Sequence, residues 1–448
     1  MNVLSDAARK GPYPWLCLVL ALAVVAGLVW SGSETTATAR PHPPRAWAAA
    51  ERAVPAPVDG EHWVAAWTAS PQPATRAVGG SIGGFRHATL REVVFSSVGG
   101  TEVRVRFTNA FGARPLMIAR AAVAVPSGGA SLAAGSSRQL LFGGSPSVTV
   151  PAGAEVLSDP VALNVRALGR LAISLYLPGP TGRTTVHGQS HQWGFVAHGS
   201  HILDMGSGPF HRRINSWYLL DAVDVLVPSR VLGTIVALGD SITAGVNSSQ
   251  DHAAAWPNDL ARRLNALPGP TLAAVDAGIG GNRVLNSSPC CGPNALARLG
   301  PDVLDQTGVR EVVLLEGVND IGYSQSHTAL TAPHTNVSAA QIIAGEQQLI
   351  ARAHAAGLAV FGATITPFRG ARYWTAAGEA KRDAVNHWIM TGGAFDGVID
   401  FASALADPAN PQRLRRAYDS GDHLHPNDAG YRAMAAAVDL ALLVDHAA

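Results

Sequence analysis

Thr234-Ile235-Val236-Ala237-Leu238-Gly239-Asp240-Ser241 is the stretch on which the reading of the fold turns. Thr234 to Leu238 is short, unbroken and free of charge, as expected of a strand buried on both faces. Glycine, an acid and a hydroxyl then end it. Comparable runs recur at Leu272 to Val275, Glu311 to Leu315, Leu358 to Ala363 and Gly397 to Phe401. Helical stretches at Ala253 to Leu267, Ala376 to Met390 and Asn427 to Val444 separate them, and Ser338-Ala339-Ala340-Gln341 is a capping box opening a helix that ends near Gly357. Strands alternating with helices predict an α/β domain over residues 230–448, a doubly wound parallel sheet. Ligands of such sheets collect beyond the carboxyl ends of the strands, so the polar residues there are the ones to read for chemistry.

N-terminal to this region the period changes to two. Val103, Val105 and Phe107 alternate with Glu102, Arg104 and Arg106, and Leu171, Ile173, Leu175 and Leu177 alternate in the same way. Glycine and proline punctuate these runs, so residues 62–229 are expected to form a β-sandwich. Its tryptophans, Trp63, Trp67, Trp193 and Trp217, suit core packing, with a sugar-stacking platform as the other reading. Residues 40–61 are rich in proline and alanine and read as a linker.

Residues 1–39 speak about destination. Arg9 and Lys10 precede an apolar run of 16 residues from Trp15 to Trp30, and Ala37-Thr38-Ala39 fits a signal-peptidase site. The run is shorter than the roughly 20 residues that span a bilayer comfortably. A cleaved signal peptide is therefore favoured over an N-terminal membrane anchor. Either way the protein is expected to be secreted or held at the outer face of the cytoplasmic membrane.

The totals agree. The 448 residues are 47% hydrophobic and 15% charged, with a formal net charge of +1. That suits packed domains and gives no grip on nucleic acid. Cys290 and Cys291 are adjacent, and neighbouring Cα atoms lie only about 3.8 Å apart, so a bridge between them would be strained. Two free thiols are the plain expectation, with a vicinal disulfide in an oxidising compartment as the alternative.

Four strand ends carry informative residues: Gly239-Asp240-Ser241; Gly278-Ile279-Gly280-Gly281-Asn282; Gly317-Val318-Asn319-Asp320; and, before the last helix, Asp422-His423-Leu424-His425-Pro426. A serine expected at the start of a helix presents its hydroxyl to the crevice. It becomes a nucleophile when an imidazole removes its proton, and a carboxylate must hold that imidazole. Ser241, His425 and Asp422 supply the three types. The Ser241 and Gly281 amides and the Asn319 side chain are candidate donors to an oxyanion. Each motif taken singly is an ordinary turn or cap; their ordered joint occurrence carries the reading.

These blocks resemble the SGNH (GDSL) hydrolase family, over roughly Val231 to Ala448. The resemblance implies a flavodoxin-like sheet, no metal or other cofactor, and hydrolysis of small or polymeric acyl esters. It implies Ser241, Asp422 and His425 as the catalytic triad, with Ser241, Gly281 and Asn319 as the oxyanion hole. The layout is also similar to secreted actinobacterial members with an N-terminal β-rich domain, and to some carbohydrate acetyl esterases. One rival is a metal-dependent hydrolase using Asp422, His423 and His425. It leaves Ser241 and Asn319 unexplained, and His187 and His191 give no convincing further cluster. The other is a secreted carbohydrate- or surface-binding protein with an inactive or secondary hydrolase domain, against which the completeness of the set speaks.

Overall fold

The Thr234–Leu238 run lies inside the Val231–Gly239 strand of a five-stranded parallel sheet. Its neighbours are Thr271–Gly278 on one side and Val309–Leu315 on the other, followed outward by Ala359–Ala363 and Gly397–Ile399. Numbered along the chain, the strand order is 2-1-3-4-5, the flavodoxin-like order, with its switch point between strands one and three. The coordinates are a computed structural model that describes residues 60–76 and 78–447. The export segment read at 1–39 and all but the end of the linker read at 40–61 lie outside the described residues. Among the described residues no helix is long and apolar enough to cross a membrane.

The N-terminal region is built of antiparallel strands. One sheet is ordered Glu61–Thr68, Leu220–Pro228, Gly100–Thr108 and Glu155–Leu157, with Val161–Val165 also pairing on Gly100–Thr108. The other centres on Ala88–Phe95 and Arg170–Leu177. Leu90, Val94, Leu171 and Ile173 from one and Val103, Val105, Phe107 and Val225 from the other fill one core. Trp67 and Trp217 pack edge to face at 4.9 Å, so these two serve the interior.

No spacer separates this sandwich from the parallel sheet. Leu220–Pro228 ends in one, Ser229 and Arg230 turn, and Val231–Gly239 begins the other. The edge strand Glu61–Thr68 faces both: the Ala65 amide donates to Thr307 O at 2.8 Å, and Thr234 Oγ1 donates to Ala65 O at 3.0 Å. Thr234, the one polar side chain of the opening run, is thus satisfied across the layer boundary. The described residues all belong to one compact unit.

Three local expectations need correction. Residues 241–247 are turns, and the next helix starts at Trp256, not Ala253. Left-handed backbone at Asn247, Asp251 and Ala253 keeps the helix from starting sooner. The C-terminal helix breaks at Val438 into Asp428–Ala437 and Leu440–Ala447, because the Asp439 carboxylate caps the second by accepting from the Ala441 amide at 3.0 Å. Cys290 and Cys291 form a disulfide rather than two free thiols. Their loop is gathered by Asn282, whose Nδ2 donates to the carbonyls of Cys291 (3.0 Å) and Pro293 (2.7 Å).

Candidate active site

The turn after the central strand depends on a missing side chain and a buried acid. A Cβ on Gly239 would come within 2.1 Å of Thr243 Oγ1 and 2.7 Å of Leu315 O. Asp240 turns inward and its Oδ1 accepts from the Ile242 amide at 2.8 Å. The Ala244 amide closes the turn on Asp240 O at 2.9 Å. Ser241 is thereby held at the strand end with its hydroxyl 2.8 Å from His425 Nε2.

His425 Nδ1 lies 2.6 Å from Asp422 Oδ2. With that nitrogen donating to the carboxylate, Nε2 is the one free to accept the serine proton. Asp422 Oδ1 accepts from the amides of Leu424 (3.0 Å) and His425 (2.8 Å), and Oδ2 accepts a second bond from Asn247 Nδ2 at 2.9 Å. Partial burial acts to raise the Asp422 carboxyl. The hydrogen bonds and charge of His425 and the Leu424 amide outweigh it and hold the group well below the usual carboxylate range. It therefore stays ionised wherever the chain is folded near neutrality.

Gly281 and Asn319 stand at the ends of the two flanking strands. Gly281 has φ +76°, and a Cβ there would fall 2.3 Å from Tyr323 Oη and 2.6 Å from Cys291 Sγ. Among the described residues neither the Ser241 amide nor the Gly281 amide has an intramolecular acceptor. Asn319 is buried; its Nδ2 donates to Asn282 O at 3.0 Å and Asp240 Oδ2 at 3.3 Å, while Tyr373 Oη donates to its Oδ1 at 3.2 Å. The side chain thus bridges the neighbours of Ser241 and Gly281. The structure brings all five expected residues together at the strand ends, linked directly or through Asp240 and Asn282.

Beneath these residues lies a buried charged layer. Burial pushes Asp240 up to about 7 and Asp320 up to about 6, against the pull of the backbone amides they accept. Arg283 opposes the rise at Asp320; at Asp240 it is opposed by Arg298, which is fully enclosed. Its Nε donates to Asn282 Oδ1 (2.9 Å), and its two Nη groups reach Ala277 O (2.6 Å), Asp302 Oδ2 (2.8 Å) and Gly239 O (2.8 Å). One guanidinium therefore ties the ends of two strands to the segment carrying Gly281.

His423 does not join the site. Its Nδ1 pairs with Asp419 Oδ2 at 2.6 Å, its φ is +63°, and its ring packs on Gly370. The extended backbone that would aim both histidines one way is absent, so Asp422, His423 and His425 do not converge. Among the described residues no group of three or more His, Cys, Asp or Glu is placed to hold a metal.

Several neighbours were not legible. Asn247 and Tyr373 carry no motif. His191, set aside above as part of no cluster, comes near His425 from the β-rich layer. Burial, then the charge of His425, lowers its proton affinity, and its Nε2 is buried without a partner. Gln189 reaches the same place, with Oε1 3.3 Å from the Cβ position of Gly280. Left-handed φ at Gln189 (60°) and His191 (49°) was a backbone signal no sequence pattern carries.

Residues 237–433 match the family described as GDSL-like Lipase/Acylhydrolase. No curated protein matches the chain. Among solved structures it is similar to a family two carbohydrate esterase from Clostridium thermocellum in complex with cellohexaose, at 17% identity and TM-score 0.35, over 84% of this chain and 92% of that one. It is similar to an acetyl xylan esterase, AlAXEase, at 22% identity and TM-score 0.35, over 46% of this chain and 96% of that one. It is also similar to Axe2, an acetylxylan esterase from Geobacillus stearothermophilus, at 19% identity and TM-score 0.35, over 46% of this chain and 91% of that one. Likeness at this level decides nothing about substrate.

Proposed function

Since the chain carries a GDSL-like lipase/acylhydrolase domain and is an ester-hydrolysing enzyme, we propose that it cleaves neutral carboxylic esters of small acyl groups through Ser241, His425 and Asp422. O-acetyl esters of carbohydrate hydroxyls fall within this class. The observation that carries the reading is the unbroken relay from Asp422 Oδ2 through His425 to Ser241 Oγ, at 2.6 and 2.8 Å.

In this reading Ser241 Oγ attacks the ester carbonyl as His425 Nε2 takes its proton, and Asp422 stabilises the imidazolium. The carbonyl oxygen gains charge facing the Ser241 and Gly281 amides. Asn319 Nδ2 joins them by sharing or releasing the longer of its two resting bonds, that to Asp240. Collapse expels the alcohol, which takes the proton from His425, and leaves acyl-Ser241. Water, deprotonated by the same imidazole, then releases the acid.

Two features support a small neutral substrate. Tyr323 and the Cys290–Cys291 disulfide close the space beside Gly281, which limits the acyl group. The exposed side chains that touch the site, Gln189 beside Gly280 and Asn247 on Asp422, are polar and uncharged. The export reading of residues 1–39 places the reaction outside the cytoplasm. The same proposal keeps 62–229 as a β-rich domain before the hydrolase domain at 230–448.

Hydrolysis of chromogenic esters from acetyl to palmitoyl, and of a peracetylated disaccharide, tests the proposal. Ser241→Ala and His425→Ala should each remove nearly all turnover while the circular dichroism spectrum is kept. Turnover surviving in Ser241→Ala would end the serine mechanism, and a preference for palmitoyl would end the small-acyl assignment.

A further inference from the structure

The loop between the central strand and the Trp256–Asn265 helix is backbone under constraint. Gly245, Asn247, Asp251 and Ala253 have φ of +77°, +68°, +63° and +47°. Three of these are not glycine, and such conformations persist only where the surroundings over-determine them. The surroundings here are two different parts of the molecule.

At one end, Asn247 Nδ2 donates to Ser420 Oγ at 2.9 Å and to Asp422 Oδ2 at 2.9 Å. That oxygen is the one paired with His425 Nδ1. At the other end, Asp251 is fastened to the β-rich layer by four bonds. Its amide donates to His191 O at 2.8 Å, and its carbonyl accepts from Arg170 Nη2. Its Oδ1 accepts from Gln192 Nε2 at 2.5 Å and from the Trp193 amide at 2.8 Å. Just before Asn247, Tyr431 Oη donates to Val246 O (2.6 Å), and between the two ends the Ser249 amide donates to Asp428 Oδ1 (2.8 Å). The loop is therefore held on one side by the helix that follows His425 and on the other by the β-rich layer.

We infer that Asn247 and Asp251 are positioning residues of the ester-hydrolase reaction, Asp251 latching the loop to the β-rich layer so that Asn247 stays on the Asp422 carboxylate. The inference rests on the triad proposed above. The Leu424 and His425 amides and Ser420 Oγ hold Oδ1, and His425 Nδ1 and Asn247 Nδ2 hold Oδ2; among these donors only Asn247 comes from outside the 420–425 segment. Without Asn247 the carboxylate keeps these local bonds but loses the one that sets its segment against the loop, and a displaced carboxylate stabilises the imidazolium less well. The loss would fall on the chemical step rather than on ester binding. The β-rich layer thereby becomes part of the catalytic apparatus without touching the reacting atoms.

The test uses the full chain and a chromogenic acetate ester, assayed well below each variant's melting temperature. Asn247→Ala and Asp251→Ala should each lower kcat by about ten- to a hundredfold, the scale seen when groups orienting a reactive centre are removed, with KM nearly unchanged. The double variant should be no slower than the slower single one, because both act through one contact. Asp251→Asn keeps an acceptor for Gln192 and Trp193 and should recover most of the rate, which a loss of charge or of general stability would not. Should Asp251→Ala fail to fold, Gln192→Ala weakens the latch and should show a smaller fall of the same kind.

Wild-type kcat in Asn247→Ala, a change confined to KM, or additive effects in the double variant would overturn the inference. Ser241→Ala run alongside separates the two claims. If it is inactive while Asn247→Ala keeps wild-type kcat, only the positioning role falls. If it remains active, the triad itself falls.

Discussion

Asn319 shows how a residue can be named from sequence and still be understood only in place. Gly317-Val318-Asn319-Asp320 suggested a neutral donor after the third strand, and the structure puts its Nδ2 between Asp240 Oδ2 and Asn282 O. Tyr373, far along the chain, settles the orientation of the amide by donating to Oδ1. Asn319→Ala should lower kcat by about a hundred- to a thousandfold, as loss of one oxyanion donor does elsewhere. Single-turnover acylation of Ser241 by a chromogenic ester measures it, and an unchanged acylation rate would remove Asn319 from the chemistry. Ser241, Gly281, Asn319, Asp422 and His425 could be picked out as candidates because each occupies a short local motif beside a strand or helix end. Asn247 and Tyr373 could not, because their partners lie 175 and 54 residues away in sequence. Nothing local distinguishes them from surface polar residues.

Among the elements, the capping box came out as read, whereas the local cap at Asp439 that splits the C-terminal helix was missed. Ser338 Oγ accepts from the Gln341 amide at 3.2 Å and Gln341 Oε1 accepts from the Ser338 amide at 2.9 Å, the reciprocal pair that the spelling suggested. Ser338→Ala should cost about 1 kcal/mol by urea unfolding with activity kept, because the Ala339–Ala355 helix starts at the surface and away from Ser241. A change of a few tenths or less would mean that the helix start is held by packing alone. The loop after Ser241 went the other way. Ala253-Ala254-Ala255 has high helix propensity, yet Ala253 is left-handed and the helix waits for Trp256. Bonds from Asp251 to His191, Gln192 and Trp193 outweigh a propensity worth only tenths of a kcal/mol per residue.

Across the molecule, burial has put several carboxyls where they prefer to be neutral. Glu311, on the Val309–Leu315 strand, and Glu346, on the Ala339–Ala355 helix, are both pushed up to about 8 from the ordinary 4.5 by desolvation. Both oxygens of Glu311 and one of Glu346 lack partners. The folded chain keeps these protons where the unfolded chain has lost them. It therefore binds more protons between about 4.5 and 8, and its stability falls as pH rises through that window. The melting temperature should decline from about pH 5 to about pH 8, and Glu311→Gln and Glu346→Gln should each flatten the decline by about 2 °C or more. Equal slopes in the wild type and both variants would show that the two groups ionise without cost.

Alternating strands and helices, the period-two region before them and the polar blocks at the strand ends determined the two-part architecture and the triad candidates. Those features depend on contacts between residues near in sequence, or on a hydrophobic pattern that repeats along it. Only the tertiary structure decided that one loop joins the β-rich layer to the candidate triad, through Asp251 onto His191, Gln192 and Trp193 and through Asn247 onto Asp422. Hydrogen bonds between side chains far apart in the chain leave no periodicity, and a left-handed asparagine or aspartate is spelled like any other. Their meaning comes from what the fold sets opposite them.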